Sequence, residues 1–366
     1  MFKVNKLAYC MVATAATATL AGCSSGYVAS AATGATPRTT IVVDSVPAAE
    51  EAGLYTAAAN GYFKQQGLNV EIRPITGGEA GISDLQSGKA QLVGGNYVSF
   101  VLAQIAGQYN GRAANFRIVA PGSQLQPGSD ALYVMPDSPI KTVANLAQDH
   151  ASVGLNTRND VGQVLLGSLL TDNGYSASDI RQVIPAAGFP ALMTMLERGQ
   201  VDAAWFPQPF GTMAEQQYGA VELADFDQGA LQDFPFTGYV GATSWVKSHP
   251  NTVAAFVRAL DQGQELADTD GTAAEKAMER YTQLAPIVAA TMPYDSYPLT
   301  MSVPQIQRVS NAMFEFGLEP GRAQPYSMSG MLQQTPGSLL ALAMVRFSAN
   351  RTHWQLALIY PSLARE

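Results

Sequence analysis

Groups with the chemistry to hold something cluster at three places along the 366-residue chain. Gly77-Gly78-Glu79-Ala80-Gly81 lies between a strand pattern and a helix pattern. Backbone N–H groups at that helix start can face an anion or a polar ligand atom, although a tight turn uses the same residues. Asn156-Thr157-Arg158-Asn159 brings amides, a hydroxyl and a guanidinium to the residues before another helix, where they suit an N-cap as well as ligand contact. Trp205-Phe206-Pro207-Gln208-Pro209 follows a strand, and its two prolines stop that strand and turn the indole toward its end. None of the three is a reaction centre. His150, His249 and His353 are isolated and show no metal-ligand spacing. Neither a Gly-x-Ser-x-Gly elbow nor a phosphate-cradling Gly-x-x-x-x-Gly-Lys-[Ser/Thr] loop occurs. The chain therefore reads as a non-enzyme, without metal or cofactor, that holds a small solute.

The elements around these groups are short apolar runs alternating with helical patterns. Ile41-Val42-Val43, Leu68/Val70/Ile72 and Gln91 to Val93 read as strands; Pro47 to Asn60, closed by Gly61, and Glu79 to Gln86, closed by Gly88, read as helices. Val161, Val164, Leu165, Ser168 and Leu169 recur at helical spacing after the cap candidates Asn159 and Asp160. Pro250 opens another helix, and Ser302-Val303-Pro304-Gln305 has the form of a capping box. Such alternation predicts an α/β protein with mostly parallel sheets.

One pattern occurs twice. Leu85-Gln86-Ser87-Gly88-Lys89-Ala90-Gln91-Leu92-Val93 is echoed by Leu196-Glu197-Arg198-Gly199-Gln200-Val201-Asp202-Ala203-Ala204. Each copy is a helix that ends on a glycine and runs into a buried strand. Polar and aromatic residues follow each strand, Gly94-Gly95-Asn96-Tyr97 in one and Trp205 to Pro209 in the other. Two similar lobes are expected, each presenting such groups at strand C-termini, where open α/β sheets bind ligands.

Composition narrows the function classes. Hydrophobic residues are 47% and charged residues 14%, which excludes a disordered or coiled-coil chain. The net charge is −8 and no Lys/Arg cluster occurs, so nucleic acid is not expected as a partner. Both cysteines, Cys10 and Cys23, fall in the first 23 residues, and the rest of the chain has no thiol chemistry. Lys3 and Lys6 precede an uncharged stretch from Leu7 to Gly22 that is short for a membrane span and reads as a secretory signal. It ends in Leu20-Ala21-Gly22-Cys23, which resembles the lipobox of bacterial lipoproteins, in which the cysteine thiol is acylated. Residues 1–22 are then a signal peptide, residues 23–38 a flexible tether rich in Ser, Ala, Thr and Gly, and Cys23 the lipidation site.

The stretch Ser45 to Leu68, ending in Gly-Tyr-Phe-x-x-x-Gly-Leu, resembles the first strand-helix-strand unit of ABC-importer solute-binding proteins of the nitrate/sulfonate/taurine type. So do Gly77-Gly78, Leu85-x-x-Gly88, Gly154-Leu155-Asn156-Thr157, and Gly199 to Phe210 with its Trp-x-Pro-x-Pro-Phe core. The resemblance implies a two-lobed periplasmic-binding-protein-like ("Venus flytrap") fold with two interlobe crossings and mixed, mostly parallel sheets. Lobe I would be residues 39–125 and 236–332, lobe II residues 126–235, with 333–366 an extension of unassigned role. It further implies an exported, monomeric, lipid-anchored protein at the outer face of the bacterial cell membrane. Its partners would be a membrane permease and, through Cys23, membrane lipid. Ser45, Gly77, Gly78, Asn96 and Tyr97 of lobe I and Asn156, Thr157, Arg158, Phe189, Trp205 and Gln208 of lobe II are the expected ligand-binding residues. Arg158 would pair with a sulfonate or nitrate, whereas Tyr97, Phe189 and Trp205 would suit a heterocycle such as a thiamine-precursor pyrimidine. Family members often carry Glu where this chain has Gln208; a neutral amide argues against a cationic ligand. An enzyme or a sensor on the same scaffold is the alternative of another class.

Overall fold

The computed structural model describes residues 38–106, 115–185, 188–319 and 321–333. The signal, Cys23, all of the tether but Arg38, and the extension beyond Gln333 lie outside the described residues.

The first half of the chain runs β1 (Thr39–Ser45), α1 (Ala52–Ala59), α2 (Tyr62–Gln65), β2 (Leu68–Pro74), α3 (Gly78–Ser87), β3 (Leu92–Asn96), α4 (Tyr97–Ala106), β4 (Phe116–Pro121), β5 (Asp130–Val134), α5 (Val143–Gln148), β6 (Ser152–Gly154) and α6 (Val161–Asp172). It continues with β7 (Arg181–Val183), α7 (Gly188–Glu197), β8 (Ala203–Pro207), α8 (Phe210–Tyr218), β9 (Val221–Asp225), β10 (Thr237–Ala242), α9 (Thr243–Ser248), α10 (Pro250–Thr269), α11 (Gly271–Thr282), α12 (Pro286–Thr291) and α13 (Val303–Glu315).

The ten strands among the described residues form two five-stranded sheets of matching topology, β2-β1-β3-β10-β4 and β7-β6-β8-β5-β9. The repeated helix–Gly–strand pattern is α3–Gly88–β3 in one and α7–Gly199–β8 in the other, and β3 and β8 occupy the same central place. Both glycines sit at positive φ, 73° and 64°, the left-handed conformation that ends a helix. Four strands of each sheet run one way. The exception, β10 or β5, is antiparallel to both neighbours. Each is the strand that enters from the other sheet, β5 after β4 and β10 after β9, so the chain crosses twice. Those crossings are tied down by side chains of α10 and α13. Gln264 Nε2 donates to the carbonyls of Pro121 and Gly122, at 2.9 and 2.8 Å. Arg308 donates to the carbonyls of Ala230, Gln232 and Asp233, at 2.9, 2.7 and 2.9 Å.

Local signals explain most elements. The capping box forms: Ser302 Oγ accepts from Gln305 N–H, and Gln305 Oε1 accepts from Ser302 N–H at 2.8 Å. The helix expected from Pro47 instead enters through a 3-10 turn over Ala49–Glu51 before α1 begins. The crossing of α1 over α10 depends on small residues, because a Cβ at Gly263 would lie 2.4 Å from the Gly53 carbonyl oxygen and 2.5 Å from Ala57 Cβ. Leu332 and Gln333 run beside β4, where Gln333 N–H donates to the Ile118 carbonyl at 2.9 Å.

Candidate functional site

The C-terminal ends of both sheets face one cavity of about 30 Å³. After β1 the chain brings Val46, Ala48 and Glu50 to it; after β2, Thr76, Gly77 and Gly78; and at the end of β3, Asn96. The other wall is Asn156, Asp160 and Val161 after β6, Phe189 at the start of α7, and Trp205 and Pro207 of β8, with Phe236 at the second crossing. A larger, open groove of about 580 Å³ lies between α6, β7 and the end of α13, but Glu315 is the one charged side chain among the described residues that border it, and the strand ends do not converge there.

The aromatic wall is held rigidly. Phe189 meets Trp205 edge-on, ring centres 5.3 Å apart, and stacks on Phe210 at 4.8 Å. Trp205 Nε1 donates to Asp130 Oδ1 at 2.9 Å, so the indole is fixed from both its face and its polar edge. Gly162 lets it fit, since a Cβ there would stand 2.6 Å from the indole ring.

Acids dominate the polar part. Glu50 is 8% exposed, borders the cavity and has no hydrogen-bond partner among the described residues. Burial, then the nearby Glu51, Asp295 and Asp160, pushes its carboxyl well above the usual range. Glu51, one residue on, is fully buried under β3 and β10, where Tyr239 O–H donates to it at 2.6 Å; burial pushes it up to about 8. Asp295 rises to about 7, again chiefly through burial. Burial likewise raises Asp130, with Asp295 and Glu50 adding to it. Asp160 accepts from Ser99 Oγ of α4 at 2.8 Å, a bond that joins the two walls. A second bond across the cleft runs from Ala49 N–H to the Gln208 carbonyl, 3.0 Å.

Six of the eleven residues expected from sequence stand together at the cavity: Gly77, Gly78, Asn96, Asn156, Phe189 and Trp205. The other five do not border it. Arg158 and its neighbour Thr157 sit on the loop before α6, Arg158 exposed to solvent. Ser45 is buried behind Val46, its hydroxyl donating to the Val46 carbonyl. Tyr97 belongs to the core beneath β10, its ring filling the place a Cβ on Gly238 would take. Gln208 is 2% exposed and its amide is engaged internally, donating to the Gly128 carbonyl at 3.0 Å and accepting from Thr212 N–H at 3.1 Å. The absence of a carboxylate at 208 therefore says nothing about ligand charge. Glu50 and Asp160 were missed as cavity residues. Two adjacent acids in the otherwise apolar run Pro47 to Ala59 were a signal for the first, whereas Asp160 reads as an ordinary helix cap and its side chain caps nothing.

Two sheets of one topology, joined by two crossings and meeting over a polar and aromatic cavity at their strand ends, define a periplasmic-binding-protein-like fold. The chain belongs to the NMT1/THI5-like family, whose model matches residues 48–273, more than half of its length. Among solved structures it is similar to the alkanesulfonate-binding protein SsuA from Xanthomonas axonopodis pv. citri bound to MOPS, at 18% identity over 82% of this chain and 100% of that one, TM-score 0.68. It is also similar to the periplasmic aliphatic sulphonate binding protein SsuA from Escherichia coli (17%, 81% and 92%, TM-score 0.65) and to the periplasmic nitrate-binding protein NrtA from Synechocystis PCC 6803 (13%, 78% and 83%, TM-score 0.66). No curated protein matches the chain. No helix among the described residues is long and apolar enough to cross a membrane.

Proposed function

We propose that this protein is the solute-binding component of an ABC importer, trapping a small solute between its two lobes and passing it unaltered to a membrane permease. The observation that carries this reading is the cavity itself, which draws one wall from each sheet. A solute seated there touches both lobes only when they meet, and that differential contact is what shifts an open–closed equilibrium. In this reading residues 39–125 and 236–332 form lobe I and 126–235 form lobe II, hinged at the segments after β4 and after β9. The closed cavity, of about 30 Å³, holds little more than one water, so a larger solute enters by parting the lobes. Sulfonates, taurine and nitrate are the first solutes to try, since sulfonate- and nitrate-binding proteins share the fold; thiamine-precursor pyrimidines are the second, supported by the aromatic groups Phe189 and Trp205 at the cavity. A chain exported behind residues 1–22 and acylated at Cys23 would be held at the outer membrane surface beside its permease.

A thermal-shift screen of these solutes tests the proposal. A bound solute raises the melting temperature with the logarithm of its excess over Kd; no shift with any of them refutes the binding role. Cells fed a fatty-acid analogue should label the wild-type chain and not Cys23→Ser, and an unlabelled wild-type chain refutes the anchor.

A further inference from the structure

Resting on the solute-binding reading above, we propose that the solute carries a positively charged amine, seated against Glu50 and Asp160. Both charged side chains that border the cavity among the described residues, Glu50 and Asp160, are acids. Glu50 is nine-tenths buried, borders the space and has no hydrogen-bond partner among the described residues. Asn156 Oδ1 is a second buried acceptor on that wall without a partner. Asp160, 4% exposed, is a further acid on that wall, and it accepts from Ser99 across the cleft. No Lys, Arg or His borders the cavity among the described residues.

The charges behind the wall have the same sign. The groups that act on Glu50 are Glu51 of its own turn, Asp295 of the loop after α12, and Asp160 of the facing lobe; Asp130 of β5 lies within their range. A carboxylate withdrawn from water costs several kcal/mol unless paired, and here no side chain of the wall pairs with Glu50. An ammonium supplies the charge opposite to both acids and the N–H donors that the Glu50 carboxyl and Asn156 Oδ1 lack. The acids do not form a metal-holding group of three or more among the described residues, which leaves an organic cation as the match. Nitrate or a plain alkanesulfonate would meet this wall with the wrong charge; taurine, which carries an amine beside its sulfonate, would not.

The experiment compares solutes that differ only in the amine, taurine against 2-hydroxyethanesulfonate and an aminomethylpyrimidine against its hydroxymethyl counterpart, by calorimetry on the purified protein. Hydrogen bonds to charged groups predict about a tenfold to hundredfold preference for the amine member. Glu50→Gln should abolish that preference, and Asp160→Asn should reduce it, each with the melting temperature retained. Amine binding should also strengthen from about pH 6 to about pH 8, as Asp295 and Glu51 behind the wall give up protons, whereas an anion would bind more weakly over that range. Equal or tighter binding of the amine-free member, or a preference that survives Glu50→Gln, overturns the amine assignment while leaving solute capture intact. Failure of every compound to bind overturns solute capture and the assignment with it.

Discussion

Glu51→Gln tests the account of the buried acids most directly. The Glu51 carboxyl is fully buried, accepts from Tyr239 O–H on one oxygen and has no hydrogen-bond donor assigned to the other. Its oxygens lie against β3, where a Cβ on Gly94 would come within 2.6 Å of one of them. Burial lifts the group from an ordinary 4.5 to about 8. In this pH range the folded state therefore holds a proton that the unfolded chain releases. The stability this contributes is complete below about pH 4.5 and is lost as pH rises toward 8. At roughly 1.4 kcal/mol per pH unit, the loss over that span is about 5 kcal/mol. Glutamine fits the same space, keeps the acceptor for Tyr239 and does not titrate. Urea denaturation of both proteins at about pH 4.5 and about pH 9 reads the difference, and titration of distant groups cancels between them. The variant should gain up to about 5 kcal/mol on the wild type between the two pH values, with unchanged m-values showing the same unfolding transition. Relief of Glu50, whose carboxyl Glu51 also holds up, acts in the same direction. A difference that stays within about 1 kcal/mol across the range would refute the buried, proton-holding carboxyl.

Other features give sharper local tests. Gly263→Ala pushes a methyl into the Gly53 carbonyl and the Ala57 backbone, neither of which is a flexible side-chain end, and should cost about 3 kcal/mol in denaturant melts. Ser99→Ala removes the bond to Asp160 between the lobes; solute affinity should fall about tenfold, and small-angle scattering of the solute-bound protein should show a larger radius of gyration. Arg308→Ala frees three carbonyls of the second crossing and should speed hydrogen exchange at residues 230–236 well before α1 or α10 is affected.

The fold was legible because its signals are local. Gly88 and Gly199 end helices by positive φ, Ser302 and Gln305 cap one reciprocally, and apolar runs such as Ile41-Val42-Val43 become central strands. The antiparallel β5 and β10 were not, since strand direction is set by which sheet the chain enters, and nothing in either run records that. At the site, glycines and aromatics at strand ends could be read because their position follows from the strand that precedes them. Arg158 could not be placed this way. It lies two residues from Asn156 and two from Asp160, both of which border the cavity, yet the loop turns it to solvent. Gln208 looked like a ligand group because a free amide is one, and only the structure shows its two ends engaged by Gly128 and Thr212.

The pair Glu50-Glu51 shows how one turn of chain divides two roles between identical residues. The 3-10 turn over Ala49–Glu51 points successive side chains in different directions. Glu51 goes inward to Tyr239, beneath the central strands, where a proton keeps it neutral and part of the packing. Glu50 goes to the cavity, where no side chain of the wall bonds it and a solute can. Their proximity couples them: after burial itself, the buried neighbour is the next cause that pushes the Glu50 carboxyl above its usual range, and an arriving amine acts in the opposite direction. Capture of a cation and release of protons would then be one event, and a more acidic medium would favour the solute's departure. Calorimetric titrations of taurine in two buffers of different ionisation enthalpy measure the proton count, and uptake rather than release on binding would refute the coupling.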